Sequence, residues 1–143
     1  MTVLDEVYQD RLLDLADPIA RQGHAVADPT FTARAHSRAC GSSAEISVRI
    51  EGDVVVDYGQ KVDACALGSA SASVVGAAMV GATVAEVRDA GRALEAMLKR
   101  QGPPPLGRFA ELKALEPARA FRNRHASILL TFRAFEKGLQ ASR

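Results

Sequence analysis

The sequence of 143 residues lacks several features that would indicate a specialised environment or partner. It has no tryptophan, and aromatic residues make up only 5% of it. Its 18 lysines and arginines are balanced by 17 aspartates and glutamates, so it has no basic surplus of the kind that accompanies nucleic-acid binding. No apolar run approaches the roughly 20 residues of a membrane-spanning helix. These absences argue against nucleic-acid and membrane partners.

Cysteine is also scarce, since the chain contains only Cys40 and Cys65. Residues 1–22 are charged and lack the apolar centre of a signal peptide, so we expect a cytoplasmic protein. In that compartment two cysteines are more often thiols or metal ligands than a structural disulfide. The length and the 48% apolar content predict one domain over residues 1–143 with its own core.

The spacing of apolar residues predicts an α+β fold. A helix is expected over residues 3–16, and from Phe31 the apolar period changes to two. Residues 44–51 alternate most clearly, and Gly52-Asp53 predicts a tight hairpin to a returning strand over 54–62. The sequence thus predicts a three-stranded antiparallel sheet with helices packed on one face.

Helices are expected to follow the sheet. The small residues after Cys65 predict a helix that lies close to its neighbours. Thr83 and Glu86 have the spacing of a capping box, which predicts the start of the next helix. The four predicted helices cover residues 67–80, 84–100, 109–115 and 123–140. His125 falls on the inward side of the last one, at its start.

Cys40, Cys65 and His125 are the residues best suited to chemistry. Cys65 precedes a predicted helix N-terminus, where free N–H groups favour a thiolate. His125 also lies at a predicted helix N-terminus, where the positive end of the helix dipole disfavours imidazolium and favours the neutral imidazole that binds metals. Two thiolates and an imidazole suit a tetrahedral zinc or iron site. However, the gaps of 25 and 60 positions contain no close Cys-x-x-Cys pair, so the spacing alone is a weak signal.

Two alternatives stay open on the residues alone. Cysteine is among the most buried residue types, and a single histidine beside an apolar stripe is commonly a core residue, so all three side chains are also consistent with packing. In the other alternative, Cys40 is a nucleophile and His125 its base in a hydrolase or transferase. No loop that would donate to an oxyanion is recognisable in the sequence, which disfavours that alternative.

Four segments match the pattern of one known family. Residues 35–42, Ala-His-Ser-Arg-Ala-Cys-Gly-Ser, are similar to its Gly-His-x-x-x-Cys-Gly-Asp. Residues 64–73, Ala-Cys-Ala-Leu-Gly-Ser-Ala-Ser-Ala-Ser, are similar to its Gly-Cys-x-x-x-x-Ala-Ser-Ala-Ser. Residues 122–128 and 134–138 are similar to its Arg-x-x-Cys-Ala-x-Leu and Ala-x-Glu-Lys-Gly. The chain from Tyr8 to Gly138 thereby resembles the U-type iron–sulfur cluster scaffolds: IscU, SufU and the N-terminal domain of NifU.

The resemblance implies an IscU-like fold, a single NifU N-terminal-like domain and a ligand set with two departures. Ser42 stands where the family has aspartate, and His125 stands where it has the third cysteine. The implied metal or cluster ligands are Cys40, Cys65 and His125, with Ser42, water, Asp63 or His36 as candidates for the fourth. The long gap before His125 resembles the Suf-type branch.

The resemblance also implies a function. Cys40 would accept persulfide sulfur from a cysteine desulfurase, with Arg122 in an auxiliary role, and zinc or an iron–sulfur cluster would be the cofactor. Downstream partners would be iron–sulfur acceptor or assembly proteins. Such a protein is a scaffold or sulfur carrier rather than an enzyme. Because of the two departures, a divergent member that only binds a structural metal or a partner protein is the alternative.

Overall fold

The computed structural model describes residues 10–38 and 41–142, and at its centre lies a three-stranded antiparallel sheet in the order β1–β2–β3. The strands are β1 (Phe31–Ser37), β2 (Ser42–Glu51) and β3 (Val54–Asp63). The predicted hairpin joins β2 to β3, and Gly52 adopts the positive φ of 66° that this turn requires. The antiparallel sheet is therefore confirmed.

Alternation along the strands separates a buried face from a more exposed one. Ile46 and Val48 of β2 are fully buried, as the sequence predicts. The strand begins two residues earlier than expected, because Ser42 pairs with Ser37 across β1 and β2. This extension places the buried Ser42 side chain at the end of the sheet, close to the predicted site.

The helical segments surround the buried face of the sheet, which confirms the α+β class. The α-helices are α1 (Asp10–Ala16), α2 (Ala66–Met79), α3 (Val84–Arg100), α4 (His125–Ile128) and α5 (Leu130–Ala141). Two 3₁₀ segments lie between α3 and α4, at Gly107–Ala120 and Arg122–Arg124. The predicted first helix is observed from residue 10; its residues 3–9 lie outside the described part. Within the described residues, every helix is too short or too polar to cross a membrane.

The capping box predicted for α3 is present. The Thr83 hydroxyl accepts a hydrogen bond from the Glu86 N–H at 3.1 Å, and the Glu86 carboxylate accepts one from the Thr83 N–H at 2.9 Å. At the other end, Gln101 takes the left-handed conformation with φ of 54°. The helix therefore ends at Arg100, with Gln101 as its C-cap, ahead of Gly102 and the proline run.

The small residues of α2 allow close packing, as predicted. A Cβ at Gly76 would lie 2.6 Å from the carbonyl oxygen of Ala20, so only glycine fits there. The buried Gln60 joins the same region, because its Nε2 donates to the carbonyls of Ala20 at 2.7 Å and Ala72 at 2.9 Å. Its Oε1 accepts a hydrogen bond from the Tyr58 hydroxyl at 2.9 Å. Gln60 thus connects the sheet, α2 and the segment before β1.

The two outer edges of the sheet are both contacted by other segments. On the β3 side, Gln22 forms an isolated parallel bridge with Gln60, and Thr83 forms an antiparallel one with Val54. On the β1 side, the Lys137 ammonium of α5 donates to a carbonyl of β1 at 3.1 Å. Some backbone groups of β3 are therefore bonded to irregular segments, and one carbonyl of β1 is bonded to a lysine side chain.

The C-terminal region differs from the prediction. The short helix expected around 109–115 belongs to a longer 3₁₀ segment that includes Pro117, a residue without the N–H that an α-helix interior needs. The continuous helix expected over 123–140 is divided at Leu129. The division coincides with a hydrogen bond of 2.6 Å from the Ser71 hydroxyl to the Ile128 carbonyl, which diverts a helix acceptor to α2.

Candidate functional site

Cys65 lies where the sheet meets a helix. It follows the end of β3 and is the N-cap residue of α2, with an extended backbone conformation (φ of −64° and ψ of 171°). Its side chain is half-buried. A residue at this position is close to the unpaired N–H groups of the first helical turn.

Two serine hydroxyls extend the site from Cys65 towards the sheet. The Ser127 Oγ of α4 lies 3.6 Å from the Cys65 Sγ and 2.9 Å from the Ser42 Oγ, and both serines are buried. We call these three residues the thiol–hydroxyl cluster. Gly68 permits the approach of Ser127, because a Cβ at Gly68 would overlap the Ser127 hydroxyl. The small-residue pattern of α2 therefore has a direct role in assembling the cluster.

The surroundings of Cys65 favour its thiolate. Partial burial raises the pKa of the thiol, but the Gly68 N–H, the Ser127 hydroxyl and the Arg124 guanidinium lower it, and the net shift is downward. Cys65 makes no full capping hydrogen bond to the helix, so the Gly68 N–H acts through its partial positive charge. A thiolate is the form that binds metals and attacks sulfur. The fold therefore prepares Cys65 for either role.

His125 is buried, as predicted, and its ring has a defined orientation. Its Nε2 lies 3.1 Å from the carbonyl oxygen of Ala118. Because a carbonyl oxygen only accepts hydrogen bonds, Nε2 must carry a proton, which leaves Nδ1 of the neutral ring as the atom with a free lone pair. Metal-binding histidines commonly donate their other N–H to a carbonyl in this way.

The position of His125 relative to the thiol–hydroxyl cluster is less favourable for shared ligation. His125 and Ser127 belong to the same helical turn, and two residues along an α-helix correspond to about 200° around its axis. Since Ser127 faces Cys65, the His125 side chain leaves the helix in a different direction. Within residues 10–38 and 41–142, no three His, Cys, Asp or Glu side chains form a group able to hold a metal ion. Cys40 lies outside the described residues, so the ligand set of Cys40, Cys65 and His125 stays a prediction.

The structure also places the remaining candidates. His36 and Asp63 are both exposed, and each is paired across the sheet with Ser43, so they share the face opposite to the buried Ser42. Neither side chain therefore points towards the thiol–hydroxyl cluster. Arg122 is exposed and lines a cavity together with His125.

Ser127 and Arg124 influence Cys65 but were not predicted from the sequence. Both lie within two residues of His125, so the segment was recognised and the contacting residues were not. A usable signal was present, because Ser127 is a hydroxyl residue between Ala126 and the buried Ile128, on the predicted inward side of the helix. A polar side chain in such a place requires a partner, and the cluster provides one.

The fold and the cluster define an α+β domain with a thiol between a sheet end and a helix N-terminus. Comparisons with protein-family models and with curated proteins gave no match. Among solved structures, the N-terminal part of a nitrogen-fixing NifU-like protein from Brucella abortus is 42% identical, with a TM-score of 0.93, over 97% of this chain and 96% of that one. A putative iron–sulfur cluster assembly scaffold protein for the SUF system from Fervidobacterium islandicum AW-1 shares the fold, with a TM-score of 0.81 at 17% identity over 94% and 98% of the two chains.

The identity and coverage of the Brucella abortus match show the family. This chain belongs to the U-type iron–sulfur cluster scaffold family, as a relative of the NifU-like N-terminal domains. The resemblance drawn from the sequence motifs is thereby confirmed.

Proposed function

We propose that this protein is an iron–sulfur cluster assembly scaffold or zinc-dependent sulfur carrier, with Cys40 and Cys65 as its two thiolates. The main support is the environment of Cys65, in which a helix N-terminus, a hydroxyl and a guanidinium all favour the thiolate. Cys40 precedes Ser42 by only two residues, and Ser42 belongs to the thiol–hydroxyl cluster. Family membership supports the same function.

The proposed partner is a cysteine desulfurase that carries a persulfide. The Cys40 thiolate attacks the outer sulfur of that persulfide, a new S–S bond forms on Cys40, and the desulfurase cysteine leaves as a thiolate. No net oxidation occurs, because one S–S bond replaces another. Arg122 is exposed and able to meet a docking protein. The receivers would be iron–sulfur acceptor or assembly proteins.

Zinc or a cluster would be held by Cys40, Cys65 and a third ligand. We propose His125 for that place, through Nδ1, since Nε2 is occupied by the Ala118 carbonyl. Because the His125 side chain leaves α4 in a different direction from that of Ser127, this ligation would require the start of α4 to rotate. Mixed thiolate and imidazole ligation occurs in iron–sulfur chemistry. Ser42 is the remaining candidate, as a neutral hydroxyl ligand. The group would supply Lewis-acid or redox character; the protein supplies the thiolates and their positions.

A second function is favoured by one observation. The hydroxyls of Ser42 and Ser127 are hydrogen-bonded to each other, so Ser42 offers a satisfied neutral group where the family pattern has a carboxylate. A site with less negative charge stabilises a cationic cluster less well. The second candidate is accordingly a family member that keeps a structural metal or a partner-binding role without assembling clusters.

The test is to purify the protein without oxygen and to measure zinc, iron and acid-labile sulfide. We expect bound metal in the native protein, its loss in Cys40→Ala and Cys65→Ala, and retention in the exposed control His36→Ala. Loss in His125→Ala with retention in Ser127→Ala would support His125 as the third ligand, and the reverse result would refute it. Protein free of metal and sulfide that also fails to stimulate a desulfurase would refute the proposed function.

The two functions are separated by a further comparison in cells. If Cys40→Ala loses zinc and thermal stability while iron–sulfur enzymes keep their normal activity, the structural-metal function is correct. If the same variant lowers the activity of those enzymes, the scaffold function is correct.

A further inference from the structure

A basic cavity lies beside the C-terminal end of α3, between it and the start of α4 and α5. Its volume is about 700 Å³, within the range of about 300–1,000 Å³ that is usual for small-molecule sites. Five of its eight lining residues are basic or imidazole side chains: Lys99, Arg119, Arg122, His125 and Arg133. None of the described residues that line it is an aspartate or a glutamate. We call this space the basic cavity.

The positive charges of the basic cavity are only partly neutralised. Lys99 and Arg119 each have a carboxylate from outside the cavity at the limit of ion-pair distance, 3.8 Å and 3.7 Å away. The side chains of Arg122 and Arg133 are exposed and make no hydrogen bond or ion pair within the part of the chain that the structure describes. Concave surfaces with one sign of charge concentrate oppositely charged ligands.

Arg119 forms a fixed wall of the cavity. Its Nε donates to the carbonyl of Met97 at 2.8 Å, and one Nη donates to the carbonyl of Gly102 at 3.2 Å. These bonds also cover the negative end of the α3 dipole, which would otherwise repel an anion. The guanidinium groups of Arg122 and Arg133 keep their donors for a ligand, and guanidinium pairs well with carboxylate and phosphate oxygens.

We propose that the basic cavity binds a small polyanion that carries two or more carboxylate or phosphate groups, held between Arg122 and Arg133. A small molecule is favoured over a protein segment because the cationic groups surround a concave space of ligand size. Cys65 does not line the basic cavity, whereas Arg122 and His125 belong both to it and to the proposed function. The proposal rests on the charges around the cavity, and its test measures anion binding, so it can fail or succeed independently of metal and sulfur chemistry.

The test is calorimetric titration of the full-length protein, as purified, with pyrophosphate and with tricarballylate, a tricarboxylate. The metal content is measured before and after, so that any metal removal is detected. We expect saturable binding of at least one probe that weakens as salt is added. Arg133→Gln and Arg122→Gln should each weaken it about tenfold, as expected for one lost charge-assisted hydrogen bond. The stronger probe identifies phosphate or carboxylate as the ligand class.

Arg92→Gln is the matched control, since it removes the same charge from an exposed residue outside the cavity. It should leave the dissociation constant unchanged within about twofold. The proposal is overturned if neither probe saturates, if Arg92→Gln weakens binding as much as Arg133→Gln, or if an acidic peptide binds at least tenfold more tightly than both probes. That last result would identify a protein partner instead. Circular dichroism of each variant confirms that it is folded.

Discussion

Replacing Gly68 of α2 by alanine should disturb the thiol–hydroxyl cluster by crowding Ser127. The new Cβ would overlap the Ser127 hydroxyl and lie 2.9 Å from the Cβ of Ala64. Ser127 is buried and hydrogen-bonded to Ser42, so its side chain has little room to move away. The substitution therefore requires either a backbone shift of α4 relative to α2 or loss of the bond between the serines.

The expected change in the free energy of unfolding follows from three contributions. Alanine in place of glycine inside a helix stabilises by about 1 kcal/mol. Overpacking of a close contact destabilises by about 1–3 kcal/mol, and loss of the bond between Ser42 and Ser127 by about 1 kcal/mol. The net expectation is a destabilisation of about 2 kcal/mol, or a decrease in Tm of about 6–8 °C for a chain of this size.

The assay is urea-induced unfolding followed by far-ultraviolet circular dichroism, on metal-free protein. A double-mutant cycle with Ser127→Ala isolates the overlap, because that substitution removes the hydroxyl the new Cβ meets. The pair should be less destabilising than the sum of the single changes by about 1 kcal/mol. Gly91→Ala is the control in α3, where the nearest atom, on the Phe132 ring, is 3.1 Å away and the expected change is under about 1 kcal/mol. The reasoning is wrong if Gly68→Ala is as stable as the native protein or if the cycle shows no coupling.

Three further predictions concern other parts of the structure. Thr83→Ala removes the capping box and should lower the free energy of unfolding by about 1 kcal/mol in the same assay; an unchanged urea midpoint would contradict it. Gln60→Met leaves the buried Tyr58 hydroxyl without its acceptor and removes the hydrogen bonds to the Ala20 and Ala72 carbonyls, which should cost about 2–4 kcal/mol; a cost below about 1 kcal/mol would show that these groups find other partners. The pKa of Cys65 is lowered from its usual 9.0, so its contribution to stability is fully present above that value and is lost as the pH falls through the folded-state pKa. The Ser127 hydroxyl contributes to this lowered pKa, and alkylation requires the thiolate. In a Cys40→Ala protein, the alkylation rate of Cys65 should reach half its maximum at a lower pH than in the double variant Cys40→Ala, Ser127→Ala. Coinciding pH profiles would refute the role of the hydroxyl.

Features that depend on neighbouring residues were predicted correctly from the sequence. The hairpin requires only the alternation around Gly52, and the start of α3 requires only the spacing of Thr83 and Glu86. The close packing of α2 was also predicted, because a run of glycine, alanine and serine leaves no side chain long enough to hold neighbouring backbone away. In each case the information lies within a few positions of the chain.

Features that depend on distant contacts were not predictable in the same way. Cys65 and Ser127 are 62 positions apart, and their contact requires the packing of α4 on α2. The burial of His125 was predicted from periodicity, but its partner, the Ala118 carbonyl, belongs to a 3₁₀ segment with no strong sequence signal. A shift of one position turns a side chain by about 100° around a helix, so small errors in helix geometry change which residue faces the thiol.

The contacts along the sheet edges have a consequence for how the protein behaves at high concentration. An unpaired strand edge is a template for another chain, and a three-stranded sheet has two such edges. Here the bridges from Gln22 and Thr83 occupy backbone positions at both ends of one edge, and the charge of Lys137 lies against the other. These contacts make strand-by-strand growth into fibrils less favourable at both edges of the sheet.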